Sequence, residues 1–390
     1  MNIIFFSPHF PQNSTDFCVH LRKNGANVLG IGDTPFDHLS TKLQNTLTDY
    51  IQIPQLENYE DVFKSVGFFI YKYGKIDRFE SLNDYWLELE AKIRTDFNIY
   101  GTKLDTVYEV IHKSKMKMFF DQCDISKIRS VKEISLEKVE KFVQEVGYPI
   151  VIKPDHGSGA SMTSKIVNHD ELVQFFNHKR DSSAFIAEEF IDGHIFTYDG
   201  LVDREGKVLF EASHFFDQNI MTVVNSDDHL HYYCLKEIPA NVRQAGQSIL
   251  KTFGIKERFF HIELFESLKN GKLYGLEVNM RPPGAWMTDS INYTYDIDIY
   301  QEWANLVVLN QVDCNREGKY YTAYASRKNH KNYAYSHDDI LHSYSPQLVH
   351  HNRIEDVFSQ AMGNYAYQFR AGTFDQVEAI VAFVQEEKRG

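Results

Sequence analysis

The run Glu277-Val-Asn279-Met-Arg281 places a carboxylate, an amide oxygen and a guanidinium at every second position. It follows Lys272-Leu-Tyr-Gly-Leu, an alternating apolar stretch entered from the corner Lys269-Asn-Gly271. Alternation after an Asn-Gly corner predicts a hairpin strand, and residues two apart on a strand share a face. Buried without partners, such a face is costly. It suits magnesium ions bridging phosphate oxygens, with the arginine beside them. The companion stretch Phe259-Phe-His-Ile-Glu263-Leu-Phe is apolar apart from His261 and Glu263. The hairpin brings Glu263 near Glu277, so Glu263, Glu277 and Asn279 read as oxygen ligands for one or two Mg2+. An edge hairpin with solvated charges is the plainer reading. The continuation Arg281-Pro-Pro-Gly284-Ala-Trp286 counts against it, because that loop leaves the strand rigidly and presents an indole.

A second motif lies upstream, Gly147-Tyr-Pro149-Ile-Val-Ile-Lys153-Pro-Asp-His-Gly157-Ser158-Gly159-Ala160-Ser161. A strand of β-branched residues delivers Lys153, a point charge for phosphate. The loop Gly157 to Ser161 can then turn backbone N–H groups toward a polyphosphate. The lysine precedes the glycines, so this is not a P-loop; a plain glycine hairpin is the alternative. Phe185-Ile-Ala-Glu188-Glu189-Phe190-Ile191-Asp192-Gly193 reads as a strand whose end becomes a hinge. The backbone of a hinge can read adenine while Phe and Ile sandwich the ring, although a charged strand end would look the same. Farther upstream, Lys113, Lys115 and Lys117 fall in a helical stretch, where Lys113 and Lys117 share a side and Lys115 points elsewhere. A solvated basic face is the alternative for each.

Other elements must hold these pieces. Ile3-Ile-Phe-Phe6, a helix from Ser14 to about Lys23 and the strand Ala26 to Ile31 form a βαβ start, the opening of a parallel sheet. Its first loop, Ser7 to Ser14, contains no glycine, which argues against a nicotinamide or flavin fingerprint. A helix is expected over Glu57–Tyr73 and a strand over Ile76–Phe79, with Glu80 as a cap, a surface residue or a ligand contact. Further helices are expected from about Asn83 to Asp96 and Lys103 to Gln122.

The chain has 390 residues, enough for two or three domains, with 43% apolar residues. Its formal charge of −13 argues against nucleic acid or an anionic membrane as partner. Cys18, Cys123, Cys234 and Cys314 form no CxxC pair, which suggests reduced thiols in a cytoplasmic protein. No apolar run is long enough for a signal peptide or a membrane helix.

In order, the lysine near a helix, Ile-x-Lys153-Pro with its glycine loop, Glu188-Glu189-Phe-Ile-x-Gly193, Glu263 and Glu277-x-Asn279-x-Arg281 resemble the ATP-grasp superfamily over roughly residues 105–310. The resemblance implies a mixed α/β and α+β architecture. A pre-ATP-grasp α/β domain over 1–105 would precede the ATP-grasp domain over 106–310, whose lobes are about 113–187 and 188–310. A small α+β subdomain over 311–390 would cap the acceptor site or form a homodimer contact.

The resemblance also assigns roles. Lys115 and Lys153 would hold the ATP phosphates, with Lys113 competing for the first place. Gly157, Ser158, Gly159, Ala160 and Ser161 would close over them. Glu188 and the backbone around Glu189, Phe190 and Ile191 would read adenine. Glu263, Glu277 and Asn279 would hold Mg2+, for which Mn2+ could substitute, and Arg281 would stabilise the transferring phosphoryl group. Many relatives place a ribose-binding glutamate where this chain has Ile195, leaving His194 or Asp199 for the ribose, or its hydroxyls loosely held; Pro282-Pro283 also departs from the usual glycine-containing loop.

The activity implied is an ATP-dependent ligase that activates a small-molecule carboxylate as an acyl phosphate for attack by an amine or other nucleophile. A bicarbonate-activating carboxylase or carbamoyl-type enzyme, and a non-catalytic ATP-binding module, are the alternatives. Trp286, Asp289, Asn292 and Tyr293 either line the acceptor pocket or merely continue the fold. His214 is a candidate substrate contact, whereas His229, His231, His350 and His351 lack the spacing of a metal site.

Overall fold

The computed structural model describes residues 1–157, 163–178, 184–218, 223, 226–314 and 316–388. Three sheets organise them. The first contains β1 (Asn2–Phe6), β2 (Asn27–Gly32), β3 (Asp49–Gln52) and β4 (Arg78–Glu80) in the order β3-β2-β1-β4. All three pairings are parallel. Ile3, Ile4, Phe5 and Phe6 are each 0% exposed, as expected for an unbroken apolar run covered on both faces. The helices Ser14–Lys23 and Tyr59–Tyr73 follow the expected spans.

The second sheet is antiparallel and contains β5 (Ser130–Lys132), β6 (Ile150–Pro154), β7 (Ser164–Ile166) and β8 (Phe185–Glu189), in the order β5-β8-β6-β7. Val139 and Phe142 of helix Leu136–Val146 and Leu172 of helix His169–His178 pack with Ile150 and Ile152 in one core. After Glu189 the chain leaves this sheet through Phe190–Asp192 and enters the third, so the expected hinge is the connection between two sheets.

Among the described residues the third sheet has nine strands. They are β9 (Gly193–Val202), β10 (Val208–Ala212), β11 (His214–Phe216), β12 (His231–Cys234), β13 (Arg258–Ser267), β14 (Leu273–Asn279), β15 (Tyr321–Arg327), β16 (Leu348–Arg353) and β17 (Tyr365–Ala371). The order is β14-β13-β9-β11-β12-β15-β17-β16, with β10 added on β9. The expected boundary at 310/311 therefore does not separate two sheets: β15 pairs with β12, Tyr232 opposite Tyr324. Helix Phe374–Gln385 covers this C-terminal half through Val377, Ile380, Val381 and Val384.

Two local differences bear on the site. The helix expected from Lys103 to Gln122 breaks at His112, whose backbone is extended, into Leu104–Ile111 and Lys113–Phe120. The break is held by Asp155: its carbonyl accepts from Lys113 N at 2.8 Å, and its carboxylate accepts from Ser114 N at 2.7 Å and Ser114 Oγ at 3.0 Å. A carboxylate at orphan N–H groups is an N-cap supplied from outside the helix. Glu80 is the buried last residue of β4. It joins Arg94 at 2.9 Å and Arg258 at 3.2 Å, tying the first sheet to the third. Among the described residues no helix is long and apolar enough to cross a membrane.

Candidate active site

The hairpin forms as its spacing requires. Asn270-Gly271 makes the corner, with Gly271 at φ 64°. The antiparallel register then sets Glu263 opposite Glu277 and His261 opposite Asn279. β9 adds the next row, Asp199 opposite His261 and Thr197 opposite Glu263. One face of three adjacent strands thus carries a continuous polar surface inside the protein.

Burial pushes the Glu277 carboxyl above its ordinary pKa, and the neighbouring Glu263 charge adds to this against the opposing pull of Lys113. The Lys113 ammonium lies 3.3 Å from Glu277 Oε1. Burial pushes the Glu263 carboxyl up, but His261 and Arg281 together hold it below its ordinary value. Two carboxylates in mutual repulsion and one amide are the oxygen donors a hard divalent cation takes. Asn279 is 4% exposed and its Nδ2 has no hydrogen-bond partner; amide orientation is set by neighbours, so an ion would draw the oxygen toward it. Among the described residues no group of three or more His, Cys, Asp or Glu could hold a metal. The set suits Mg2+ only if phosphate oxygens complete its shell, as they do at nucleotide sites.

The lysines are arranged differently from expectation. Lys115 is exposed on the outer face of its helix, so the geometry corrects its assignment to the phosphates. Lys113 is buried, and its ammonium donates to the carbonyl of Gly157 as well as facing Glu277. The break at His112 starts the helix so that Lys113 and Lys117 both turn inward. Lys117 and Lys153 flank Glu188, each with Nζ 2.9 Å from one carboxylate oxygen. Burial would raise the Glu188 pKa, but the two ammonium groups hold it at about 2. The Lys117 pKa is lowered by burial and by Lys153 beside it.

Glu188 therefore spends its carboxylate on the lysines, where adenine recognition was expected of it. Glu189 turns its side chain to Arg129, with Oε2 2.8 Å from Nε, and its N–H donates to the Arg129 carbonyl at 3.0 Å. The Phe190 ring sits under the Lys165 ammonium, 3.9 Å from its centroid. Ile128, Val151, Ile191, Ile195, Phe265 and Leu276 provide an apolar wall beside these residues. Ser158, Gly159, Ala160 and Ser161 lie outside the described residues. Gly157, at φ 105°, adopts the left-handed conformation that favours glycine.

Arg281 faces the same cavity, and its Nε donates to Asp84 Oδ2 at 2.5 Å. Asp84 belongs to a short turn of the N-terminal unit, a partner that no local spacing indicated. Asp199, a candidate for ribose, is 0% exposed and committed to His214, His261 and Thr197, which corrects that assignment. His194 Nδ1 contacts the Asp217 carbonyl at 3.1 Å. His214 is likewise buried in the sheet rather than open to substrate.

The cavity has a volume of about 1560 Å3. Beyond Arg281 it continues between the N-terminal unit, at His9, Asn13, Asp16 and Lys42, and the C-terminal strands, at His350 and Arg353. Trp286, Asp289 and Tyr293 line it, with the Trp286 ring 4.5 Å from that of His350. Burial raises the Asp289 pKa to about 6. Asn292 instead caps the next helix, its Oδ1 accepting from Ile299 N at 2.7 Å.

Residues 146–290 match the family described as the ATP-grasp domain. An L-arginine-specific L-amino acid ligase of Bacillus subtilis is 22% identical over 265 residues, 63% of this chain and 61% of that protein. The chain's match thus spans about three fifths of that curated relative. An L-amino acid ligase structure from Bacillus licheniformis superposes with a TM-score of 0.76 at 15% identity, covering 97% of this chain and 95% of that one. The biotin carboxylase domain of the Hydrogenobacter thermophilus 2-oxoglutarate carboxylase, in complex with MgADP, ADP and bicarbonate, gives 0.69 at 12% identity over 97% and 89%.

Proposed function

We propose that this chain, an ATP-grasp protein by its fold and its domain match, is an ATP-dependent carboxylate–amine ligase acting on small molecules, with amino acids as the first substrates to try. The observation that carries the reading is that one cavity continues from the phosphate side into a second chamber. Its phosphate-facing side has Lys113, Lys153, Glu263, Glu277 and Arg281, with Asn279 buried on the same strand as Glu277, and it extends into a chamber walled by both ends of the chain. A module that only bound nucleotide would have no use for that chamber beside Arg281.

In this reading the substrate carboxylate attacks the γ-phosphorus of ATP, releasing ADP and forming an acyl phosphate. The amine then attacks the acyl carbon, an amide forms and phosphate leaves. Lys113 and Lys153 balance phosphate charge, and Lys117 keeps Glu188 ionised between the lysines. Arg281, held by Asp84, meets the charge that develops on the transferring group. Glu263, Glu277 and Asn279 would hold Mg2+, which would supply positive charge against the phosphates. The apolar wall around Ile191 and Ile195 accepts the adenine, and with isoleucine at 195 the ribose hydroxyls gain no carboxylate there. We place the protein in the cytoplasm, a setting suited to four cysteines without a disulfide.

ADP and phosphate release from Mg-ATP against a matrix of amino acids, small carboxylates and amines tests the reading, with Glu277→Gln as the blank. Release should require both a carboxylate and an amine and vanish in the variant. Release with bicarbonate alone, or ATP binding with no release under any pair, would overturn it.

A further inference from the structure

Behind the carboxylate pair, a chain of hydrogen bonds crosses the sheet. His261 Nε2 donates to Glu263 Oε1 at 3.1 Å and Nδ1 to Asp199 Oδ1 at 2.6 Å. His214 Nδ1 donates to the other Asp199 oxygen at 2.7 Å, and its Nε2 to the Met287 carbonyl at 3.1 Å. Thr197 Oγ1 adds a donor to Asp199 Oδ2 at 2.5 Å, and itself accepts from His214 N at 2.9 Å. The imidazoles meet mainly carboxylate and carbonyl oxygens, with the Thr197 hydroxyl also 3.3 Å from His214 Nδ1. His261 is 2% exposed, Thr197 1%, and Asp199 and His214 0%.

Stability alone is a poor reason for such an array, because well-packed apolar residues often replace buried ion networks at no loss. Its two ends supply a better one. Glu263 faces the phosphate side of the cavity, and Met287 follows Trp286 on the wall of the chamber beyond Arg281. We infer that His261, Asp199 and His214 are positioning residues that fix the rotamer of Glu263 toward a divalent cation and, from the same anchor, seat Trp286 and Met287, the start of the helix Met287–Tyr295, at the second substrate. The inference rests on the ligase reading for the role of that helix start, but its first arm needs no turnover.

The test exploits where an amide reaches. Asparagine at 261 sets its nitrogen near the Nδ1 position, keeping Asp199 and losing Glu263; glutamine sets it near Nε2, keeping Glu263. Mn2+ binding to the protein–ADP complex, followed by the electron paramagnetic resonance of free Mn2+, should weaken about 10–100-fold in His261→Asn, the usual cost of removing a partner behind a metal ligand. His261→Gln should recover most of that loss. His214→Asn keeps Asp199 and loses Met287, so Mn2+ binding should stay within about threefold while KM for the amine rises about tenfold and KM for ATP holds. Wild-type Mn2+ affinity in His261→Asn, or equal loss in the asparagine and glutamine variants together with lower melting temperatures, would reduce the array to a structural one. Loss of Mn2+ affinity in a protein that releases no ADP with any substrate pair would uphold the positioning of Glu263 and refute the ligase.

Discussion

Replacing Glu188 by glutamine removes one negative charge from between two buried ammonium groups, and its consequence can be worked from the structure. The Glu188 carboxyl titrates near 2 instead of its ordinary 4.5. At about 1.4 kcal/mol per unit, the depression corresponds to about 3 kcal/mol of stability at neutral pH. The sign follows from the direction: a depressed folded pKa stabilises above the unfolded value and loses that contribution as pH falls toward the folded one. The contribution is therefore complete at pH 7, reduced by roughly a quarter at pH 4, and gone below about pH 2. Glu188→Gln should lower the unfolding free energy at pH 7 by about 3 kcal/mol, in line with breaking a buried pair by removing one partner. Urea denaturation at several pH values measures it. The gap between wild type and variant should narrow as the pH is lowered from 7 to 4. ATP offers the freed lysines a replacement anion, so saturating nucleotide should stabilise the variant more than the wild type. A variant as stable as wild type at pH 7, or a deficit independent of pH, would refute the ion triad as described.

Two substitutions test the rest of the phosphate-facing site. Lys113→Ala should cost about 10²–10³ in kcat/KM for ATP, by analogy with the loss of one donor to a transition-state oxyanion, whereas Lys115→Ala on the exposed face should stay within about twofold; steady-state kinetics of the two variants decide which lysine faces the nucleotide. Asp84→Asn frees the Arg281 guanidinium from its anchor, and kcat should fall on the order of 10–10²-fold with KM for ATP little changed, the pattern of a misplaced catalytic group; an unchanged kcat would mean that Arg281 needs no such anchor.

What was legible in the sequence was what lies within one strand or one turn. Glu263 opposite Glu277 follows from a corner at Asn270-Gly271 and alternation on both sides, and the register agrees. The parallel start, with its uninterrupted Ile3–Phe6, was legible for the same reason. The break in the helix over 103–122 is not legible there, because it depends on Asp155, some forty residues away, capping Ser114. Helical spacing did show that Lys113 and Lys117 share a side opposed to Lys115. Which side faces the nucleotide depends on where the helix docks. The C-terminal strands read as a separate subdomain because their pairing with β12 is a long-range choice, with nothing in Tyr320–Ser326 to announce it.

The residues that sequence reasoning missed or misassigned have one physical property in common. Asp84 serves Arg281 from another sheet, Asp155 serves the Lys113 helix from the end of β6, and Asp199 serves His261 from the neighbouring strand. Each is a carboxylate whose partner, a guanidinium, an imidazole or the open end of a helix, is brought to it by folding. Chemistry-bearing side chains can be recognised by type and spacing because the reaction dictates both. Their partners answer only to the demand that a buried charge be balanced, which any acidic residue within reach can meet from any point of the chain. A site read from sequence should therefore be expected to show its ligands before its supports. The supports are best sought by asking, for each buried cation the motifs predict, which carboxylate the fold must bring to it. That question leads from Arg281 to Asp84. It leads equally from His261, a histidine on an otherwise apolar strand, to Asp199, and so to the array that joins the two halves of the cavity.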